Sequence, residues 1–300
     1  MFGWRSDEPP SAKRARCDDA GPTGCSGAAT SAASVGPRPV CIDELCSSLR
    51  GKQRLAVVRL GAQYAESAAW LHEDAGRIAK ARYWTSRAME LAHESDDRCM
   101  LAWTIFRRSQ QAAAALDAPQ AIGFAQAARR NEEALATPTR AAIRAQEAYG
   151  HALDGDERAA QTLLDDAHMW AASDTTGDAH EGHGSYCTPS YIEIQRANCW
   201  LTTGKPKRAI ALYEESLHTL PVVYQRSRAS ALSQLAVAYM ADGQFEQAAS
   251  VARTALPIAR GGGSLRIVDD LKGVGRELVP HQNLDGVAAL LYELANHEGC

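Results

Sequence analysis

Large rings are scarce in this chain: only 6% of its 300 residues are aromatic, against a hydrophobic fraction of 45%. A core built around stacked rings is therefore excluded, and Ala, Leu and Val must supply most of the buried surface. Paired cysteines are missing as well. The eight cysteines, Cys17, Cys25, Cys41, Cys46, Cys99, Cys187, Cys199 and Cys300, form no Cys-x-x-Cys pair, which argues against a zinc ribbon or a disulfide framework. No apolar run approaches the roughly 20 residues that span a bilayer, and no secretory apolar region follows Met1. No excess of positive charge exists either: the formal charge is −4 and the isoelectric point near 6.1, so nonspecific nucleic-acid binding has no electrostatic basis. The expected setting is soluble and cytoplasmic, away from any membrane, with reduced thiols.

The signatures of catalysis are also wanting. No Walker loop, nucleophile elbow, GxGxxG or His-Glu-x-x-His string occurs. Gly261-Gly262-Gly263 follows helical text rather than a strand, so it reads as a turn and not a phosphate cradle. The pairs Asp165-Asp166, Glu214-Glu215 and Asp269-Asp270 fall on helical text, where adjacent side chains diverge by about 100°. They read as solvated faces. His151 and His168 lack a sequence-local partner of a catalytic kind. Neither enzymatic activity nor a cofactor is expected.

What the sequence does contain is a period. In Gly204–Pro221, GKPKRAIALYEESLHTLP, a turn glycine precedes a small residue, Ala209, then another, Ser216, then a helix-stopping proline. A further small residue, Ala197, lies seven before the glycine. These offsets match the tetratricopeptide pattern, in which two antiparallel helices approach closely over small side chains. The first column recurs as Ala69, Ser109, Ala148, Ala197 and Ala236; the second as Ala81, Ala121, Ala160, Ala209 and Ala248; the third as Ala88, Ala128, Ala167, Ser216 and Ala255. The turn position is Gly76, Gly155, Gly204 and Gly243, but Leu116 in the second copy, where Pro119 is expected to punctuate the turn instead. Successive copies stand 39 or 40 residues apart, except for 49 between the third and the fourth.

The pattern predicts an all-α, tetratricopeptide-like right-handed superhelix of about five to six antiparallel helix pairs over residues 51–298. A sixth, decayed unit aligns Arg276, Ala288 and Ala295 with the three columns, and residues 265–298 should cap the array. Residues 1–50, rich in Pro, Gly and Ser, read as a disordered tail with a short helix from about Cys41. Within that tail Lys13, Arg14 and Arg16 are followed at once by Asp18 and Asp19, so they read as solvated charge. The gap between Ala160 and Ala209 is longer and holds an insertion, residues 173–190. Asp174, Asp178, His180, Glu181, His183 and Cys187 crowd there, but at irregular spacing, and no metal site is expected.

Stacked helix pairs curve, and the first helix of each pair lines the concave face. In the tetratricopeptide register the inner positions are Glu66 and Trp70, Phe106 and Gln110, Ala145 and Tyr149, Ile194 and Asn198, Ser233 and Val237, with Trp103 and Tyr191 one turn earlier. Rings mixed with amides suit an extended peptide, a flat small molecule or a partner protein. Glu66, Trp70, Trp103, Phe106, Gln110, Tyr149, Tyr191, Ile194 and Asn198 are thus the candidate groove residues. The competing reading makes Trp70, Trp103 and Tyr149 packing contacts between neighbouring pairs.

The strings YAESAAWLHEDAGRIAKARYWTSRAMELAHESDDRCMLAW, EAYGHALDGDERAA and YCTPSYIEIQRANCWLTTGKPKRAIALYEESLHTLP resemble the C-terminal regulatory half of actinobacterial Cro/C1-type helix-turn-helix (XRE) transcriptional regulators. The resemblance covers about residues 53–298. It implies a sensing and dimerising array, with a homodimer or a heterodimer with a full-length regulator as partner. The DNA-reading bundle of that family has no counterpart in the periodicity of residues 1–50. Direct DNA binding is therefore doubtful, and the chain reads first as a sensor or protein-interaction module. The alternative is a DNA-binding regulator acting directly or through dimerisation with a full-length relative.

Overall fold

The computed structural model describes residues 39–130, 132–174 and 182–296. The basic cluster at Lys13, Arg14 and Arg16 lies outside them, as do Asp178, His180 and Glu181. Among the described residues there are thirteen α-helices, two short 3-10 turns and no strand. The helices are α1 (Pro39–Ser48), α2 (Gly51–Asp74), α3 (Ile78–Glu94), α4 (Arg98–Ala114), α5 (Ala118–Ala128), α6 (Thr137–Leu153) and α7 (Glu157–Ala172). They continue with α8 (Pro189–Thr202), α9 (Pro206–Thr219), α10 (Gln225–Ala241), α11 (Phe245–Gly261), α12 (Leu265–Leu278) and α13 (Asp285–Ala295).

Local chemistry starts and stops these helices. Asp97, Asp117 and Asp156 cap α4, α5 and α7 by accepting from the backbone N–H three residues on, at 3.0, 3.1 and 2.9 Å. Thr188 and Ser264 do the same for α8 and α12. Within the pairs, the first helix ends in a left-handed residue: Gly76, Gly155, Gly204 and Gly243 have φ of 70°, 85°, 74° and 76°. The next residue then reaches back to an orphan carbonyl, as Lys205 N–H does to Trp200 O at 2.8 Å.

Leu116 departs from expectation in an instructive way. Rather than being replaced by another turn, the left-handed geometry persists there, with φ of 59°, and Asp117 N–H bonds Ala112 O at 3.0 Å as in the glycine copies. Pro119 only opens α5, near its N-terminus. The leucine side chain is 72% exposed, so it contributes little burial to offset the cost of this backbone. Leu116→Gly should therefore stabilise the chain by about 0.5–1 kcal/mol, since the left-handed penalty exceeds the entropic cost of glycine. Chemical denaturation checks this; an unchanged or lower midpoint contradicts it.

The small columns sit where close packing demands. All fifteen residues of the three columns are buried, none more than 3% exposed. Ser109 even bonds across its pair, Oγ donating to Ala121 O at 2.7 Å. The sixth pair, α12 and α13, requires a correction of register by one residue. Arg276, Ala288 and Ala295 are exposed, whereas Gly275, Val287 and Leu294 are buried. The small residue of its first helix is glycine: a Cβ at Gly275 would meet Leu294 Cδ1 at 2.4 Å. The unit is one residue shorter than aligned, and its close-packing position is retained.

Helices α2, α4, α6, α8, α10 and α12 touch one another in succession and form the inner layer, and α12 also meets α2. The array thus winds until its last pair contacts its first. Asp74, at the end of α2, accepts hydrogen bonds from Arg226 of α10 and from Ser264 Oγ at the start of α12, the latter at 3.0 Å. The Arg226 guanidinium also lies 4.8 Å from the Trp70 ring centre. Outside this circuit, α1 rests on α2, with Ile42 against Gly61.

Candidate functional site

The inner layer is lined by one repeating stripe. Six, three and two residues before each small residue of the first column lie Trp103, Phe106 and Arg107 on α4; Ala142, Ala145 and Gln146 on α6; Tyr191, Ile194 and Gln195 on α8. Such spacing places three side chains on one helix face. Phe106, Ala142, Ala145, Gln146, Tyr191 and Gln195 enclose a cavity of about 10 Å³ between these helices. That is room for about one water molecule.

The nine sequence candidates divide by this geometry. Glu66 and Trp70 are partly exposed, while Trp103, Phe106, Gln110, Tyr149, Tyr191, Ile194 and Asn198 are buried, none beyond 3%. The open groove expected at these positions is therefore closed. Glu66, Trp103 and Gln110 meet around Arg107: the Trp103 indole N–H donates to Glu66 at 3.2 Å, and Arg107 donates to Gln110 Oε1 at 2.6 Å and to Glu73 at 2.8 Å. Glu66 lies 3.6 Å from the same guanidinium. Asn198 turns to its own pair mate, accepting from the Tyr213 hydroxyl on α9, with its amide donating to Gln195 Oε1 at 3.1 Å. Burial pushes the Tyr149 and Tyr213 phenols well above their ordinary range, so both remain protonated. Trp70 serves the closure with Arg226.

Two parts of the site were not found from sequence. The first is the column two residues before the small one: Arg107, Gln146, Gln195 and Gln234, each no more than 4% exposed. Gln146 Nε2, Gln195 Nε2 and Gln234 Oε1 are buried without a hydrogen-bond partner among the described residues. The small-residue columns carried the signal, since these positions share one offset from them. The second is the segment 182–187, which lies on the inner layer. The His183 ring stacks on Trp103 with centres 4.7 Å apart and planes at 15°, and Thr139 Oγ1 donates to His183 O at 2.7 Å. Tyr224 donates its hydroxyl to Ser185 O at 3.0 Å, and Tyr186 meets Tyr191 edge-on at 4.9 Å.

The crowding of chain around the partly exposed His183 ring lowers its pKa below 6.5, although Glu66 and Asp97 pull the other way. A neutral ring is thus favoured in the docked segment. The stabilisation is complete above the ordinary value near 6.5 and is lost as pH falls through the lowered one. Backbone amides of 182–187, corrected for intrinsic rates, should exchange faster at pH 5 than at pH 7.5. Equal protection at both would contradict this assignment.

Cys187, in the same segment, is a buried free thiol, and Cys46, Cys99 and Cys199 are also free. Among the described residues no group of three His, Cys, Asp or Glu side chains is placed to hold a metal ion. Likewise, no described helix is long and apolar enough to cross a membrane.

No protein-family profile and no curated protein matches the chain. Among solved structures it is similar to the crystal structure of a Rap protein complexed with competence and sporulation factor, with a TM-score of 0.54 and 13% identity. That superposition covers 85% of this chain and 78% of the other. At such identity the likeness is one of fold: the chain is an all-α, tetratricopeptide-like helical repeat.

Proposed function

We propose that the chain is a regulatory protein-interaction module whose inner layer binds a peptide. One observation carries this reading: Gln146, Gln195 and Gln234 present unpaired amide atoms at one register position on three successive inner helices. A buried amide atom without a partner costs about 1–3 kcal/mol, so a repeated row of them suits a ligand that supplies the missing donors and acceptors. A peptide backbone offers both, one donor and one acceptor per residue. Trp103, Phe106 and Tyr191 add rings for its side chains. The likeness to a Rap protein captured with a bound factor, and the resemblance of the sequence to regulatory halves of Cro/C1-type regulators, support a role in transcriptional or related control.

A library of displayed random dodecapeptides, selected on the immobilised protein and then titrated by fluorescence anisotropy, tests the reading. Selected peptides should bind saturably and weaken at least tenfold with Gln146→Met, while that variant melts at or above the parent temperature. Peptides that never saturate, or that ignore Gln146→Met, would contradict it.

A further inference from the structure

A segment of this chain, residues 182–187, is docked on the inner layer. Thr139 and Tyr224 donate to two backbone carbonyls of the segment, those of His183 and Ser185. Trp103 and Tyr191 each take a ring, from His183 and Tyr186. Between them Gly184 approaches so closely that a Cβ would lie 2.8 Å from the Pro138 carbonyl carbon and oxygen and 2.9 Å from Thr139 N. Its φ of 82° also favours glycine. A tight turn, Cys187 N–H to Gly184 O at 2.8 Å, holds the segment in shape. Donors aimed at backbone carbonyls, ring platforms and a position that admits only glycine are the features by which a groove reads a peptide sequence.

We propose that residues 182–187 act as a built-in competitor, and that the external ligand is a peptide of the same pattern: a ring, then glycine, then a small residue, then an aromatic residue. This rests on the peptide-binding reading above and adds the sequence class and the device that sets affinity. The segment is tethered, so a ligand in solution must outcompete an occupant at high effective concentration. Apparent affinity is reduced by the fraction of molecules whose site is occupied.

The probe is a fluorescein-labelled heptapeptide, Gly-His-Gly-Ser-Tyr-Ser-Thr, copied from residues 182–188 with serine for the cysteine, titrated against the full chain. Gly184→Val should expel the tethered segment, because its branched side chain meets backbone that cannot yield. The expected result is saturable binding at least tenfold tighter to Gly184→Val than to the parent. That binding should be lost with Thr139→Val added, and lost with valine at the third position of the heptapeptide. His183→Asp, which removes the stack and sets a carboxylate beside Glu66 and Asp97, provides a second undocked form should the first fail to fold. Equal affinity for the parent and a folded, protease-sensitive undocked variant would overturn the proposal. If library peptides bind the parent and are indifferent to Gly184→Val and to the heptapeptide, self-occupancy fails while peptide binding stands. If no peptide binds any form, both fail.

Discussion

Arg107→Met is expected to lower folding stability by about 3–5 kcal/mol, the range for removing one partner of a buried ion pair. Arg107 is 2% exposed, and its guanidinium serves Glu73, Glu66 and Gln110 on α2 and α4. Burial alone would lower its pKa, but the two carboxylates outweigh that and raise it. Methionine fills the volume and removes the guanidinium that Glu73 and Glu66 share, where both carboxylates are largely shielded from water. The loss comes mainly from the two shielded carboxylates that lose this guanidinium, so it should be largely reversed in Arg107→Met/Glu66→Gln/Glu73→Gln. Urea unfolding of the single and triple variants separates the two contributions. A single variant within about 1 kcal/mol of the parent would show that the charges find solvent, contrary to this packing.

Ala209→Leu should cost about 1–3 kcal/mol by overpacking α8 against α9. Ala209 and its counterpart Ala197 are both 0% exposed, so three added carbons have nowhere to go without parting the helices. Ala211, two residues along the same helix, is exposed and provides the control. Ala211→Leu should shift stability by no more than about 0.5 kcal/mol. Equal behaviour of the two variants would refute the register on which every position here is placed.

That register was legible in the sequence because it rests on a local steric requirement. A column such as Ala81, Ala121, Ala160, Ala209 and Ala248 has one physical cause, the close approach of two helices, and each member meets it. The sixth pair lies one residue off a spacing of forty: Gly275 stands next to Arg276, and the period alone aligns the arginine. Leu116 hid its left-handed backbone because the hydrogen bonds of the turn, not the side chain, enforce it.

The site was less legible, for a different reason. Nothing local in the sequence marks Gln146, Gln195 and Gln234 as buried, since glutamine is common on exposed faces. Their burial follows from the closure of the inner layer, and that closure joins residues far apart in the chain, as Asp74 with Arg226 and Ser264. Asn198, a groove candidate by its register, is buried instead, and Tyr213 on its own pair mate donates to it. The composition of residues 173–190 is that of a loop whether it is solvated or docked. Only the positions of Trp103, Thr139, Tyr191 and Tyr224, on four different parts of the chain, reveal that residues 182–187 have a place to bind.

Docking of residues 182–187 on the inner layer is tested most directly by amide hydrogen exchange of the parent protein at neutral pH. The Cys187 N–H, bonded to Gly184 O within a segment held on both sides, should exchange at least a hundredfold more slowly than its free-peptide rate. Exchange of residues 183–187 at the free-peptide rate, alongside protected amides in α4, α6 and α8, would contradict the account.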